Sequence, residues 1–275
     1  MSRFWAICLA FATLAFVASS AIFALQPTGG GGAAVADFDD ALGLLSLPPH
    51  FPPDAMQISL SEMFLRPRDA GMAGFLVMTW VALVYVALRH LARLWRTAPR
   101  ATNIETGTGA FPPMPRRDGA HATELSLILG LMLGAIWPWL GTAHPAIAFL
   151  LSLAMLVCFL GAAFQGRDRP RGEASSTLGF VTGWALLACL SLFAATIERL
   201  ASVPQTAAAV LVVLIAALVA IGLQLRLGRR IGLSLAVLWG LIGIAAGTVA
   251  QDVAVATAAV LGIAIIAVGL VRATT

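Results

Sequence analysis

Acid–base, nucleophilic or metal chemistry in this chain has to come from four histidines (His50, His90, His121 and His144), three cysteines (Cys8, Cys158 and Cys189) and thirteen carboxylates. The cysteines fall in separate apolar stretches, with no CxxC pair and no neighbouring histidine, so they read as small core residues rather than ligands or nucleophiles. No HExxH, GxSxG or phosphate-binding loop is present. The carboxylates, amides and arginines nearest the apolar stretches (Glu124, Gln165, Glu198, Arg199, Gln224, Gln251 and Asp252) stand at their ends, and no ionisable residue reaches mid-stretch. Pumps and intramembrane enzymes keep such groups inside the bundle, where their work repays the insertion cost. Without axial ligands in the interior, a fixed heme is not expected either. The expectation is a non-enzyme with no catalytic residue, no metal and no fixed cofactor.

Indoles are the side chains left for recognition. Trp80, Trp137, Trp139, Trp184 and Trp239 lie in apolar stretches, whereas membrane tryptophans usually mark the interface. Buried indoles give flat apolar faces with one N–H donor, which suits either a planar hydrophobic ligand or plain helix packing. Small residues four apart accompany them (Gly130 and Gly134, Gly179 and Gly183, Gly243 and Gly247), a spacing that permits close helix contact.

These residues must be positioned by segments that cross a bilayer. Eight are long and apolar: 5–25, 70–88, 125–140, 146–164, 177–197, 207–225, 231–249 and 253–271. A hydrocarbon core of ~30 Å takes about 20 helical residues, and the third segment is short of that. With 60% hydrophobic and 11% charged residues and a mean hydropathy of +0.92, there is no material for a separate soluble domain. The fold class is all-α, a polytopic integral membrane helical bundle.

Arginine carries the whole orientation signal, since the chain has no lysine. With Arg3 inside, fourteen arginines fall on the inner side and only Arg66, Arg68 and Arg199 outside. The positive-inside rule then puts both termini in the cytoplasm. The pI near 9.8 reflects this bias and a match to anionic headgroups, not nucleic-acid binding. The first segment, with Ala18-Ser19-Ser20-Ala21 near its end, also reads as a signal peptide, whose cleavage would leave seven spans and an outside N-terminus. Its apolar run of about 21 residues favours an uncleaved anchor.

The chain divides into an anchor (1–25), an outer loop (26–69), further core helices (70–197) with a cytoplasmic loop (96–124), and three C-terminal spans (198–275). The outer loop passes from Gly29–Gly32 through Asp37–Asp40 to the Pro48–Pro53 run, a flexible leader ending in a stiffer lid. Residues 58–65 are compatible with a short interfacial helix, but an ordered loop with no ligand role is the expectation.

Several stretches together resemble the translocator protein family, the tryptophan-rich sensory proteins (TspO/MBR), in their longer bacterial form. They are Pro52-Pro53, Phe64-Leu65-Arg66-Pro67, Thr79-Trp80 through Tyr85, Gly134-Ala135-Ile136-Trp137, Gly183-Trp184 through Ala188, and Leu238-Trp239 through Ala245. Gly134 and Leu192 stand where the family commonly carries asparagine. The resemblance implies a five-helix core plus three extra helices. Within the core it implies a pocket for a tetrapyrrole or sterol-like ligand, lined by Trp80, Tyr85, Trp137, Trp139 and Trp184, with a regulatory or transport role. A tetrapyrrole would then be a ligand, not a fixed cofactor.

The expected partners are the lipid bilayer, a hydrophobic small molecule and either a second copy or a membrane complex, with no nucleic acid. A structural or assembly subunit, docking through its small-residue faces, is the alternative class, and a transporter of neutral or lipidic substrates a third. Arginine-only basicity and abundant alanine point to a bacterial inner membrane.

Overall fold

A computed structural model describes residues 3–26, 60–96, 118–141, 144–165, 176–228 and 231–274. These form α1 (Arg3–Leu25), α2 (Leu60–Leu65), α3 (Ala70–Arg96), α4 (Asp118–Leu140), α5 (Pro145–Gln165), α6 (Ser176–Ala201), α7 (Gln205–Leu227), α8 (Gly232–Thr248) and α9 (Val253–Thr274). The described residues contain no strand. In hydrocarbon every backbone amide needs a partner inside the protein, and a helix supplies it locally. The polar side chains follow the same rule: Thr13, Thr79, Thr196 and Thr248 are buried and donate to the carbonyl four residues back.

Among the described residues seven helices are long and apolar enough to cross a membrane, and α8, at 17 residues, is the shorter eighth. At 1.5 Å per residue α8 covers about 25 Å. The third span, short in the sequence, gains residues at its start, because α4 begins at Asp118. Phe4, Ile7, Phe11 and Leu14 of α1 are exposed, as are Leu211 and Leu218 of α7 and Val260 and Val268 of α9. Such stripes are a liability in water and the expected lipid contact in a bilayer. The chain is a helical bundle of the polytopic membrane type.

Helix α6 is the centre, packed against α2, α3, α5, α7 and α8. On one side α1 lies against α3 and α4, and α4 against α5; on the other, α9 joins α7 and α8. The closest crossing is α6 on α8. A methyl added at Gly183 would sit 2.8 Å from the Leu233 carbonyl oxygen and 2.7 Å from the Ala236 Cβ, and one at Gly232 would overlap the Ser176 carbonyl. Small residues let the two backbones meet here.

Helix ends are set by identifiable residues. Pro145 opens α5 and Pro204 precedes α7, where the missing N–H costs nothing. Gly228, at φ 69°, ends α7 and donates its N–H to the Gln224 carbonyl. The buried Gln224 side chain accepts from Ser234 Oγ at 2.8 Å and donates to the Gly228 carbonyl at 2.6 Å, so the α7–α8 corner is tied from within. Asp252 caps α9 by accepting from the Ala254 and Val255 amides, and its other oxygen accepts from Thr206 Oγ1 at 2.5 Å. With Thr206 as the largest cause, the Asp252 carboxyl is held below its ordinary range.

Candidate ligand site

Three of the five residues implied by the resemblance meet on one face of α1. Ser19 Oγ accepts the Trp139 indole N–H at 2.8 Å, and Ser20 Oγ accepts that of Trp80 at 2.9 Å. Trp184 stands edge-on to Phe16 with ring centroids 5.8 Å apart, and Trp139 is edge-on to Phe23 at 5.6 Å. Both serines also donate, Ser19 to the Ala135 carbonyl at 2.6 Å and Ser20 to that of Phe16 at 2.8 Å. The Ala18–Ala21 stretch that resembles a cleavage site is therefore, in the folded chain, the strip that receives two indoles.

Pro138 sits in the last turn of α4, close in sequence to the carbonyl that bonds to α1. A proline inside a helix removes the bond to the carbonyl four residues back and loosens that turn. Ser19 bonds to the carbonyl of the next residue, Ala135, on the same turn.

Trp137 and Trp184 are fully buried, and among the described residues neither indole N–H has a hydrogen-bond acceptor. An unsatisfied buried donor costs about 1–3 kcal/mol. Tyr85, by contrast, is 52% exposed on α3, in the lipid-facing band with Val81 and Leu88. Trp80, Trp139 and Trp184 are thus gathered along the C-terminal half of α1, and Tyr85 is apart from them. Trp239 lies outside this group, donating to the Gly71 carbonyl at 3.1 Å and stacking on Phe75.

Beside the tryptophans, the ends of α1, α4 and α6, together with α2 and the starts of α5 and α7, line a cavity of about 300 Å³. Its apolar wall includes Phe23, Leu65, Pro138 and Leu192. Four charged side chains also line it: Glu62 and Arg66 from α2 and the turn after it, and Glu198 and Arg199 from the end of α6. Arg66 closes the end of α1: its Nε donates to the Phe23 carbonyl at 3.2 Å, and its guanidinium lies 4.2 Å from the centre of the Phe23 ring. Helix carbonyls in the last turn lack intrahelical donors, and a cation there suits the helix dipole. Glu62 also faces Arg68 outside the cavity at 4.0 Å. A smaller hollow of about 180 Å³ adjoins it, sharing Leu60, Gln205 and Ala209 and reaching Asp252. The Pro48–Pro53 lid expected from the sequence lies outside the described residues.

Sequence spacing missed one polar pair. His90 and Glu124 fall at the ends of the apolar runs, yet α3 continues to Arg96 and α4 starts at Asp118, so both sit within helices. They are 9% and 1% exposed, with Nδ1 and Oε1 3.9 Å apart. Extending the helices beyond the apolar run was the signal that hydropathy alone could not supply. Among the described residues no group of three or more His, Cys, Asp or Glu could hold a metal ion.

Comparison of the chain with protein-family models, with curated proteins and with solved structures finds no match.

Proposed function

We propose that this is a non-enzymatic, translocator-like membrane protein that takes a hydrophobic ligand, tetrapyrrole or sterol-like in class, at its outer face, with a regulatory or transport role. The observation that carries this reading is the cavity between α1, α2, α4 and α6, whose volume lies at the lower end of the range for small-molecule sites. Its wall residue Phe23 touches Trp139, and Pro138 lies between Trp137 and Trp139, so a ligand there would stand next to the tryptophan cluster. Apolar burial against Phe23, Leu65 and Leu192 supplies the affinity in this scheme.

Protoporphyrin IX titrated into the purified protein tests the reading through tryptophan fluorescence. The expected result is saturable quenching that weakens in Phe23→Ala, which removes both cavity wall and indole contact. Quenching that rises linearly without saturation, equal in wild type and variant, would reject it.

The assembly-subunit reading keeps one observation in its favour. Trp80, Trp139 and Trp239 each spend their N–H donor on another helix, which is packing rather than recognition. Native-size measurement after mild detergent extraction separates the two, because a subunit extracts with its complex and a ligand carrier extracts as a monomer or homodimer.

A further inference from the structure

The cavity has a vertical order that its volume does not express. Along α6 it runs from Ser191 and Leu192 to Glu198 and Arg199, about 12 Å at 1.5 Å per residue. Its deep end is formed by Leu192 and by Ser191, whose hydroxyl is spent on the Ala188 carbonyl, while Phe23 of α1 lies against the Arg66 guanidinium and the charged side chains gather at the helix ends. Arg66 and Arg199 are two of only three arginines on that side of the chain. In a membrane this places cations and carboxylates at headgroup level and the apolar wall at the level of the acyl chains.

The charges at that level are balanced. Two arginines and two glutamates line it, Glu62 also meeting Arg68, so a simple acid or a simple amine would leave like charge beside it. Resting on the ligand-binding reading above, we infer that the cavity holds a zwitterionic phospholipid of the outer leaflet. Its phosphate lies at Arg66 and Arg199, its ammonium at Glu198 and Glu62, and one acyl chain runs down past Phe23 and Leu192. Arginine forks suit phosphate oxygens, and a carboxylate suits a primary ammonium. Charge complementarity also separates this ligand from an anionic phospholipid, whose headgroup supplies no partner for the glutamates.

Native mass spectrometry of the full chain, in micelles doped equally with phosphatidylethanolamine, phosphatidylglycerol and phosphatidylcholine, tests the inference. Wild type is expected to retain one zwitterionic lipid over phosphatidylglycerol by roughly tenfold, the size of a single charge-assisted contact. Glu198→Gln shifts retention toward phosphatidylglycerol, Arg199→Gln loses retained phospholipid, and Arg272→Gln, at the other membrane face, leaves the preference intact. Equal retention of the three lipids, or a preference unchanged in both cavity variants, overturns the inference. If no phospholipid is retained while protoporphyrin still saturates, the lipid assignment falls and the ligand-binding reading stands; if neither binds, both fall.

Discussion

The α6–α8 crossing gives a test in which the same substitution has opposite outcomes at two places. Gly183→Ala puts a methyl 2.8 Å from the Leu233 carbonyl oxygen and 2.7 Å from the Ala236 Cβ, well inside the ~3.5 Å of a relaxed carbon contact. The nearer atoms are a backbone carbonyl and a Cβ, neither of which can rotate away, so the helices themselves must part. Gly222→Ala, on the exposed face of α7, meets nothing within 4 Å. Both substitutions gain roughly 0.8–1.0 kcal/mol of helix propensity. Their difference therefore isolates the clash, for which overpacking predicts about 1–3 kcal/mol. Thermal unfolding in one detergent, followed by a thiol-reactive dye at the buried Cys189 with Cys8 and Cys158 replaced by serine, reads this. At ~2–4 °C per kcal/mol for a chain of this length, Gly183→Ala should melt roughly 2–12 °C below Gly222→Ala. A gap under about 1 °C, or one of reversed sign, would refute the close crossing.

Other expectations follow from single contacts. Ser20→Ala leaves the half-buried Trp80 indole without its acceptor and should cost about 1–3 kcal/mol in the same assay, whereas an unchanged melting point would show that the bond contributes nothing. Asp252 stabilises the start of α9 as a carboxylate. Because its folded pKa is depressed, that contribution is complete above the unfolded value of ~3.9 and disappears as pH falls through the lower folded value. Acid titration of wild type should therefore show a loss of stability below about pH 4 that Asp252→Asn lacks, and parallel curves would contradict it. Reporter fusions at the C-terminus should be active in the cytoplasm, as the arginine bias requires; an external signal would invert the topology.

How much of this could be read from residues alone depends on which force decides. The spans could be read because hydropathy and length act within one segment, and Ala70 and Val253 begin helices where the apolar runs begin. The glycine pairs could be read for the same reason: Gly130 meets Phe159, Gly134 meets Phe16, and Gly243 meets Met72. Partnerships between distant segments could not. Ser19 and Ser20 look like small residues before a cleavage site, and only the fold shows Trp139 and Trp80, more than 100 and 60 positions away in the one case and the other, arriving at their hydroxyls. His90 and Glu124 lie beyond the apolar windows, so their burial depends on neighbours that hydropathy does not weigh. Arg66 and Arg199 count toward orientation in a tally of charges, while their shared cavity follows from how α2 packs against α6.

The serine strip of α1 also has a meaning in time. The chain is made from its N-terminus, so α1 enters the membrane before either tryptophan that it will hold exists. Ser20 can wait at no cost, because its hydroxyl donates to the Phe16 carbonyl of its own helix. When α3 and then α4 follow, Trp80 and Trp139 find acceptors already in place. A chain lacking α1 would leave both indoles without these acceptors.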